Sequence, residues 1–454
     1  MKRVQKALIF LVLFCMITSL CGCTAIGIDV ESQLRPPKNN GEQEMLQNAL
    51  DDYISQSKIN KYSLKYPNEG QYLSSFVLLD EVKRPSYVAP EELQPVSELA
   101  EEAKDFCVAF YQPSVEGAKA HIHLLQHIDG KWISVADVEG RGDNIAQVDF
   151  ADVNGDSFPE LLIGWNLYNT KDKILYVYSL TENLRELSTV ELYTSMLVSD
   201  LTGDEADDLF LLSVDPFDST LTARLIAYRS GELTAIGDAK VDTDILSIGN
   251  IFPTVFSEDL RGVFLDVYKD PNTTVTELVL WEDVFLWTPF YSTSAQMNAM
   301  TARPFSLSCS DIDEDGIIEW PVLTDLLIGE DIQEDALCWK TSWYYYDAEA
   351  STSVLDFNSV ANINDGYMLR ISEAFPENFT IAYDAEKRVL EFQTFKDKEP
   401  MTFFKIQTTV SGKKSDLLDG FSYFDSIESL HFALWHNKDF SITTEEIRYL
   451  FFII

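Results

Sequence analysis

Three acidic stretches of nine residues constrain the fold of this chain more than any other feature of its sequence. Each stretch places an oxygen-bearing side chain at its first, third, fifth and ninth positions. The stretches begin at Asp152, Asp200 and Asp311, so the first position advances by 48 and then by 111 residues. Because the second step is about twice the first, the spacing predicts a repeat of roughly 50 residues. Degenerate copies are expected near 97–105 and 253–263, where the pattern is incomplete.

A second series of segments repeats with the same period as the acidic stretches. Each unit also contains two strand-like runs joined by a polar turn. The turn residues are Asp129-Gly130, Thr181-Glu182-Asn183, Ser230-Gly231, Glu282-Asp283 and Asp347-Ala348-Glu349. Glycine reaches a positive φ at little cost, so Asp-Gly and Ser-Gly favour hairpins. Several strands in each unit of about 40–50 residues are typical of propeller blades, and the 3.6-residue period of helical repeats is missing. The sequence therefore predicts a mainly β fold, a β-propeller of five or more blades over residues 63–372.

The oxygen pattern of the acidic stretches is that of a cage for a hard cation. Side-chain oxygens at positions 1, 3 and 5, a backbone carbonyl at 7 and a carboxylate at 9 suit Ca²⁺, which takes six to eight oxygens. An EF-hand is excluded because position 12 is apolar and strand-like in all three copies (Ile163, Leu211 and Val322). The predicted ligands are Asp152, Asn154, Asp156, Phe158 and Glu160 in the first loop, Asp200, Thr202, Asp204, Ala206 and Asp208 in the second, and Asp311, Asp313, Asp315, Ile317 and Glu319 in the third.

The stretch at 152–161 resembles the loop of the FG-GAP/VCBS family, the blade repeat of integrin-α-like propellers. The resemblance covers about residues 60–370, and three of five units carry the motif. Position 6, commonly Gly in that family, is Ser157 in the first copy and Glu205 in the second. Thr202 replaces Asp or Asn at position 3 of the second copy, which predicts weak binding there. The resemblance implies structural ions that tie the loop between two blade strands and neutralise its carboxylates.

The first 22 residues are predicted to be a bacterial lipoprotein signal peptide. Basic residues precede the apolar run Ala7–Ile17, which is shorter than the ~20 residues that span a bilayer. Leu20 to Cys23 resembles a lipobox in which Cys23 receives the lipid, and an ordinary signal peptide is the alternative. Residues 23–43 are polar and read as a tether. The protein is thus expected at the cell membrane, lipid-anchored on the extracytoplasmic face like surface lipoproteins of Gram-positive bacteria.

The charge of the chain excludes two classes of partner. It carries 34 basic and 74 acidic residues, for a net charge of −40. Nucleic-acid binders need clustered Lys and Arg, and docking on anionic lipid needs a basic surface. The expected association with membrane is therefore through the lipid on Cys23 alone. Hydrophobic residues make up 46 % of the chain, which is enough for packed cores despite the charge.

Two further regions flank the predicted propeller. Apolar residues at helical spacing predict an amphipathic helix within residues 44–62. Residues 373–454 break the repeat and are predicted to form a small α+β domain. Its strands are expected at 379–383, 389–393 and 401–407, and the capping box from Thr443 to Glu446 marks the start of a final helix.

The cysteines give little support for a redox or metal function. After lipidation of Cys23, the chain retains Cys107, Cys309 and Cys338, so at most one disulfide forms. A Cys309–Cys338 bond is one alternative, and buried free thiols are the favoured one. The chain has no CxxC motif or Cys/His cluster, so a zinc site is not expected.

Other residues that could act in catalysis or ligand binding are expected to have structural roles. His121 and His123 share a strand face but lack an apparent third metal ligand, so they are expected to face solvent. Glu282 and Asp283 could act as a glycosidase pair, yet they fall in a predicted turn. The aromatic run 339–346 could form a surface that binds a sugar or a peptide, although aromatic side chains more commonly pack between blades.

No catalytic motif was found, neither a Gly-x-Ser-x-Gly elbow nor a phosphate-binding glycine loop. The predicted activity is therefore binding of an envelope protein, a peptide or a glycan through the loops of one propeller face. A propeller-fold glycan hydrolase or lyase is the enzymatic alternative, which two close carboxylates with pKa values shifted apart would favour. A purely structural role in an envelope complex is the third hypothesis, which a large exposed apolar patch would favour.

Overall fold

The structure is a computed structural model that describes residues 40–57, 59, 61–84, 88–89, 99–142, 144–167, 171–187, 191–290, 294–304, 307–324, 338–396, 399–440 and 442–454. The predicted signal peptide, Cys23 and most of the predicted tether lie outside the described residues. Within those ranges, no helix combines the length and hydropathy that a membrane span requires. The chain divides into two units, Met1–Ser57 and Lys58–Ile454.

The first unit contributes one described helix, α1 (Asn40–Gln56). It begins before the predicted start at residue 44 and ends before the predicted end at residue 62. Leu46, Leu50 and Ile54 recur every fourth residue, so they share one face of the helix. This is the amphipathic pattern from which the helix was predicted.

The second unit is mainly β and contains six antiparallel sheets. Sheet 1 consists of β1 (Tyr62–Leu64), β2 (Phe76–Leu78), β3 (Phe106–Pro113), β4 (His121–Ile128) and β5 (Lys131–Glu139). Sheet 2 consists of β6 (Ile145–Ala151), β7 (Glu160–Asn166), β8 (Lys173–Ser179), β9 (Arg185–Glu186) and β10 (Glu191–Tyr193). Sheet 3 consists of β11 (Ser195–Ser199), β12 (Asp208–Val214), β13 (Leu221–Arg229) and β14 (Glu232–Asp242).

Sheets 4 to 6 are also antiparallel, and two short helices lie next to strands of sheets 4 and 6 in the sequence. Sheet 4 consists of β15 (Ser247–Val255), β16 (Leu260–Asp270), β17 (Thr273–Glu282), β18 (Phe285–Trp287) and β19 (Arg303–Pro304), with α2 (Ser294–Thr301) before β19. Sheet 5 consists of β20 (Trp320–Thr324), β21 (Cys338–Asp347), β22 (Thr352–Asn362), β23 (Tyr367–Arg370) and β29 (Phe451–Ile453). Sheet 6 consists of β24 (Phe379–Asp384), β25 (Val389–Lys396), β26 (Glu399–Thr409), β27 (Ser422–Ile427) and β28 (Leu430–His436), and α3 (Thr444–Tyr449) follows it.

The predicted hairpins are confirmed. β4 and β5 are joined by Asp129 and Gly130, whose φ angles are 50° and 78°. β13 and β14 are joined by Ser230 and Gly231, at 56° and 94°. Two consecutive positive φ angles give a turn whose twist matches that of the flanking strands, so a two-residue connection suffices.

Consecutive sheets pack face to face, and one apolar cluster lies between each pair. The cluster between sheets 1 and 2 includes Phe110 and Trp165, and both are buried. Phe210 and Leu211 are neighbours on β12, yet they belong to different clusters, one shared with sheet 4 and one with sheet 2. Side chains alternate between the two faces of a strand, so sheet 3 is buried on both faces. This explains the continuous apolar runs of the middle strands.

The C-terminal region contains the predicted strands and the predicted capping box. Strands β24, β25 and β26 coincide with the three predicted segments. The Thr443 hydroxyl accepts a hydrogen bond from the Glu446 backbone nitrogen at 3.2 Å, and the Glu446 carboxylate accepts one from the Thr443 backbone nitrogen at 2.7 Å. The last strand, β29, does not stay with sheet 6 but pairs with β23 of sheet 5. Sheets 5 and 6 also share one apolar cluster.

Candidate metal centre

The acidic stretches occupy equivalent positions in three sheets. Residues 152–160 connect the first two strands of sheet 2, and residues 200–208 connect the first two strands of sheet 3. Residues 311–319 lead into β20 of sheet 5, with Ser310 and Glu319 paired across the loop. We call these segments loop 1, loop 2 and loop 3. The corresponding connection of sheet 4, predicted to be degenerate, joins β15 to β16 through residues 256–259, which contain Glu258 and Asp259 but not the nine-residue acidic pattern.

All three loops are folded around the carboxylate of their first residue. In loop 1, Asp152 accepts hydrogen bonds from the backbone nitrogens of Asp156 at 3.0 Å and Ser157 at 2.9 Å. In loop 3, Asp311 accepts from the nitrogens at the same two positions, again at 3.0 and 2.9 Å. Asp200 of loop 2 makes the equivalent pair of bonds, both at 3.2 Å. One short side chain thus sets the path of the loop backbone.

The backbone is left-handed at positions 4 and 6 of every loop. The residues and their φ angles are Gly155 (74°) and Ser157 (66°), Gly203 (78°) and Glu205 (69°), and Glu314 (61°) and Gly316 (87°). Each loop places glycine at one of the two positions and a residue with a side chain at the other. The departure from the family's glycine at position 6 in loops 1 and 2 therefore does not change the loop conformation.

The ninth residue of each loop is a buried acid that carries a raised pKa. Burial, together with the other carboxylates of the same loop, raises the pKa of Glu160 to about 8 and that of Glu319 to about 8. The same causes raise the pKa of Asp208 to about 7. Each acid accepts a hydrogen bond from the backbone nitrogen of its loop's second residue. A bound cation would favour the ionised form of these acids and offset their mutual repulsion.

Loop 3 brings its carboxylates closest together. Oxygens of Asp311, Asp313 and Asp315 lie within 4.8 Å of one another, and so do oxygens of Asp313, Glu319 and Asp356. Asp356 belongs to β22 and was not predicted; burial and the nearby Asp313 raise its pKa. In the described part of the chain, these are the only groups of three acidic, histidine or cysteine side chains with this spacing. The donor set of loop 3 consists of carboxylates alone and fits a hard cation.

Loop 1 offers one amide in place of a carboxylate. Asn154 donates from its side chain to Asp156 at 3.1 Å and to Glu160 at 3.0 Å. The amide therefore bridges two acids that would otherwise repel each other. A cation would compete for the same oxygens, and Asn154 could turn its own oxygen toward it. Loop 1 offers oxygen donors with a lower negative charge than loop 3, and its three acids do not all lie within 4.8 Å of one another as those of loop 3 do.

Loop 2 is less suited to a cation than the other loops, because two arginines contact its carboxylates, against one arginine at each of the other loops. Arg261 of sheet 4 donates to the Asp200 backbone oxygen at 2.8 Å and to its carboxylate at 3.1 Å. Arg229 donates to the Asp204 carboxylate at 2.6 Å. Two guanidinium groups thus supply the positive charge that an ion would otherwise supply. The sequence predicted weak cation binding by this loop because of Thr202. The arginine contacts are a second physical reason for weak binding.

Arginine also links the loops of neighbouring sheets. The Asp152 nitrogen donates to the Asp207 carboxylate at 2.8 Å, and the Asp207 nitrogen donates back to the Asp152 oxygen at 2.8 Å. Arg84, on the connection that follows β2, donates to Asp207 at 3.2 Å and lies 4.0 Å from the Asp152 carboxylate. In loop 3, Arg370 lies 3.1 Å from Asp313. None of these arginines was predicted as part of the site.

The prediction that His121 and His123 face solvent is wrong. His123 is fully buried, and His121 is mostly buried. Asp137 on β5 lies between them, 2.9 Å from Nδ1 of His121 and 3.2 Å from Nδ1 of His123, and the Tyr111 hydroxyl donates to it at 2.9 Å. The carboxylate therefore serves as a shared hydrogen-bond acceptor, with no group of three ligands close enough for a metal among the described residues.

Asp137 predicts a specific dependence of stability on pH. Burial raises its pKa, but hydrogen bonds from His121 and His123 outweigh burial and hold the pKa well below its usual range. Because the folded-state pKa lies below the unfolded one, ionised Asp137 stabilises the fold above about pH 4, and this contribution is lost as the pH falls. Asp137→Asn is expected to cost about 2 kcal/mol at neutral pH and to flatten the loss of stability in acid.

Urea unfolding between about pH 3 and 7 measures this effect. Asp439→Asn, at an exposed aspartate of the C-terminal region, is the matched control and should leave the profile unchanged. An Asp137→Asn profile parallel to that of the natural chain at every pH would contradict the assignment.

The other candidate residues lie in the buried core or near turns. Cys107, Cys309 and Cys338 are buried free thiols, so the favoured alternative for them is confirmed. Glu282 and Asp283 are exposed in the turn between β17 and β18, as expected. In the aromatic run 339–346, Trp343 is fully buried in the core of sheet 5. These residues therefore contribute to packing and turns.

Comparisons with known proteins do not assign the chain to a family. No family model matches it, and no curated protein matches it. Among solved structures, it is similar to the crystal structure of a Lactobacillus plantarum protein from a structural genomics programme, with 10 % identity and a TM-score of 0.24. The match covers 68 % of this chain and 83 % of the other. At that TM-score the similarity defines neither fold nor function.

Proposed function

We propose that this protein is an extracytoplasmic lipoprotein, anchored at Cys23, whose sheets form a calcium-stabilised β-propeller of the FG-GAP/VCBS type. Its activity is binding of an envelope protein or glycan rather than catalysis. The observation that carries the proposal is the shared construction of the three loops. Each wraps its backbone around its first aspartate and ends on a buried acid whose pKa burial raises.

The sheet topology supports the propeller. Sheets 2 to 5 each contain consecutive antiparallel strands in chain order, which is the construction of a propeller blade. Sheets 2, 3 and 4 each bury both faces against their neighbours, as blades do. Val88, on the segment that follows β2 of sheet 1, exchanges backbone hydrogen bonds of 3.1 Å with Pro253 and Val255 of sheet 4. This contact between the segment after β2 and the fourth sheet agrees with a curved arrangement rather than a straight stack.

The donor sets support two calcium ions rather than three. Loop 3 would hold an ion through Asp311, Asp313, Asp315 and Glu319, and loop 1 would use the equivalent four side chains. Loop 2 has no need of one, since Arg229 and Arg261 already neutralise it. The ion would supply positive charge at the loop and hold the first two strands of a blade together. It would therefore act on stability and not on a reaction.

Thermal unfolding of the full-length chain, in detergent because the N terminus is expected to carry lipid, tests this proposal. An ion that binds only the folded state adds about 2.7 kcal/mol for each site at a concentration one hundred times Kd. We expect a rise of several degrees in Tm with millimolar calcium over EDTA, larger than that with magnesium.

Equilibrium binding of radioactive calcium on the same preparation counts the sites. Two ions per chain are expected. Three ions would contradict the role given to the arginines of loop 2. No ions, together with an unchanged Tm, would contradict the calcium proposal as a whole.

The placement of the buried carboxylate pair Glu277 and Asp242 favours binding over catalysis. Burial and the neighbouring Asp242 raise the pKa of Glu277 to about 9, so Glu277 is protonated at neutral pH and can donate to Asp242. Both residues are buried between sheets, where Lys269 and Asn298 also contact Asp242. A glycosidase needs its acids on either side of a substrate bond, in an open cleft. This pair has no such access, and we therefore do not extend the proposal to hydrolysis.

A further inference from the structure

The most exposed large apolar side chain of the described residues is Phe217, at 97 % exposure. It lies on the connection between β12 and β13 of sheet 3. In a meander, this connection is at the opposite end of the sheet from the acidic loop, because the loop joins the first strand to the second and Phe217 lies between the second and third. The surface around Phe217 is therefore separate from the candidate metal centre.

The turn that carries Phe217 is held by its own hydrogen bonds. Asp215 accepts from the Phe217 nitrogen at 2.7 Å through its carboxylate and from the Ser219 nitrogen at 2.9 Å through its carbonyl. The Asp215 nitrogen donates to the Thr220 carbonyl at 2.9 Å, and the Asp218 carboxylate accepts from the Thr220 nitrogen at 3.0 Å. An ordered turn thus keeps an aromatic ring in water. Folding gains nothing from that placement, and the ring is available for contact with a ligand.

Two cavities flank this turn. The larger has a volume of about 600 Å³ and is bounded by the connections of sheets 2, 3 and 4 at this end of the molecule. The smaller has a volume of about 320 Å³ and is lined by Leu192 of sheet 2 and by residues of sheet 3 that include Ser213, Thr222 and Lys240. Asp172, Val214, Asp215 and Pro216 line both cavities, so the two spaces are continuous with the base of the turn. Phe217 lines neither cavity, but the preceding Pro216 lines both, so an elongated ligand that occupies both cavities would pass beside the turn that carries the ring.

The cavity walls offer closely mixed donors and acceptors. The larger cavity is lined by the acidic residues Asp172, Asp215 and Asp244 and by the lysines Lys171 and Lys269. The Lys269 amine already donates to Asp242 and to the Thr243 carbonyl oxygen. Hydroxyl groups complete the walls of both cavities: Thr194, Ser219 and Ser247 in the larger, and Ser213, Thr220 and Thr222 in the smaller. Acidic residues outnumber lysines in the walls of both cavities, so the site itself disfavours an anionic ligand. The net charge of −40 disfavours an anionic ligand at long range.

We propose that Phe217 and the two cavities beside it bind an uncharged glycan chain; this inference rests on the proposed binding function and names its ligand. Sugar hydroxyls both donate and accept hydrogen bonds, so they match walls that present amines, carboxylates and hydroxyls together. The C–H face of a sugar ring packs on an aromatic face, whose π electrons make it slightly negative. A chain of several sugars has the length to fill both cavities while one ring covers Phe217.

A glycan array tests the inference with the full-length chain in detergent and millimolar calcium. The array should carry neutral oligosaccharides of glucose, mannose, galactose and N-acetylglucosamine beside sulfated and uronic-acid glycans. We expect binding to at least one neutral oligosaccharide and none to the charged ones. Binding to charged glycans alone, or to none, would overturn the inference.

Phe217→Ala tests the surface itself by titration of the best neutral oligosaccharide from the array. Affinity is expected to fall tenfold or more, and Phe217→Trp should retain it because the flat ring is preserved. The matched control is Phe285→Ala, since Phe285 is 69 % exposed at the start of β18, at the acidic-loop end of sheet 4. Equal affinity for Phe217→Ala and Phe285→Ala would place the glycan elsewhere and overturn the inference.

The same preparations separate this inference from the calcium proposal. Phe217→Ala should show the calcium-dependent rise in Tm of the natural chain, because the ring is remote from the loops. A normal calcium-dependent rise in Tm without glycan binding would overturn only the proposal of a glycan ligand. Absence of the rise in the natural chain would overturn the calcium proposal, whatever the array shows.

Discussion

Glu319→Gln is expected to raise the Tm of the calcium-free protein and to lower the Tm of the calcium-loaded protein. Glu319 is buried, and its folded-state pKa of about 8 lies above the ordinary value for glutamate. A raised carboxyl pKa costs stability as the pH rises from the unfolded value toward the folded one, so at neutral pH the natural residue destabilises the empty loop. Glutamine avoids that cost, keeps the hydrogen bond from Ile312, and lacks the charge that holds an ion.

Thermal unfolding near neutral pH in EDTA and in millimolar calcium measures both effects. Each change is expected to correspond to about 1–2 kcal/mol, the first from ionisation and the second from the lost ion. The changes in Tm in EDTA and in calcium are expected to have opposite signs. A simple packing defect would instead lower the Tm in both buffers. Equal losses in the two buffers would mean that Glu319 serves only as a hydrogen-bond acceptor.

Asp208→Asn is the matched control for this experiment. Asp208 occupies the same position in loop 2, and burial likewise raises its pKa, to about 7. It should therefore gain stability in EDTA as Glu319→Gln does. Since Arg261 and Arg229 neutralise loop 2, its calcium-dependent rise should remain that of the natural chain. Loss of the rise in Asp208→Asn would assign an ion to loop 2.

Arg303→Met is expected to lose about 3–5 kcal/mol of folding stability, the cost of leaving a buried charge without its partner. Arg303 is fully buried at the joint between sheets 4 and 5 and forms an ion pair with Asp266. It also donates to the Thr276 hydroxyl at 2.8 Å and to the backbone oxygens of Thr301 and Leu307. Removal of the guanidinium leaves the Asp266 carboxylate in an apolar environment. Chemical denaturation of the full-length chain measures the loss.

The double variant Asp266→Asn/Arg303→Met separates charge from packing. It should be more stable than Arg303→Met alone, because no unpaired charge remains. Arg224→Met is the matched control, since Arg224 pairs with Asp238 and Glu191 at the surface and should lose less than about 1 kcal/mol. An Arg303→Met variant as stable as Arg224→Met would contradict the role of the buried pair.

Local patterns predicted the parts of this fold that depend on neighbouring residues. The hairpin turn at Asp129 and Gly130 and the capping box at Thr443 both depend on side chains within a few residues of each other. The acidic loops are similar: the Asp152 carboxylate reaches backbone nitrogens only four and five positions away. Spacing along the chain is enough to identify such features.

The partners that complete the loops are distant in sequence and could not be predicted in the same way. Arg84 contacts Asp207 across 123 positions, Arg261 contacts Asp200 across 61, and Arg370 contacts Asp313 across 57. Single arginines carry no local pattern that distinguishes them from other surface residues. Asp356 was missed for the same reason, since it meets loop 3 only through the pairing of β22 in sheet 5.

The error at His121 and His123 has a different origin. Alternation along β4 places these residues on the face of sheet 1 opposite Ile122 and Leu124, which belong to the cluster shared with sheet 2. One buried face does not require the other to be exposed. The register of β5, which brings Asp137 opposite His123, was the missing information.

The return of β29 to sheet 5 fixes an order of assembly during synthesis. β23 ends at Arg370, and its partner begins at Phe451, so the whole of sheet 6 is made between the two strands. Until residue 451 emerges, β23 has an unpaired edge, and unpaired strand edges promote association between chains. A translation or export arrest between these positions would leave that edge open at a stage when the earlier sheets can already pack. Nascent chains halted in this interval are therefore the species of this protein most prone to aggregate.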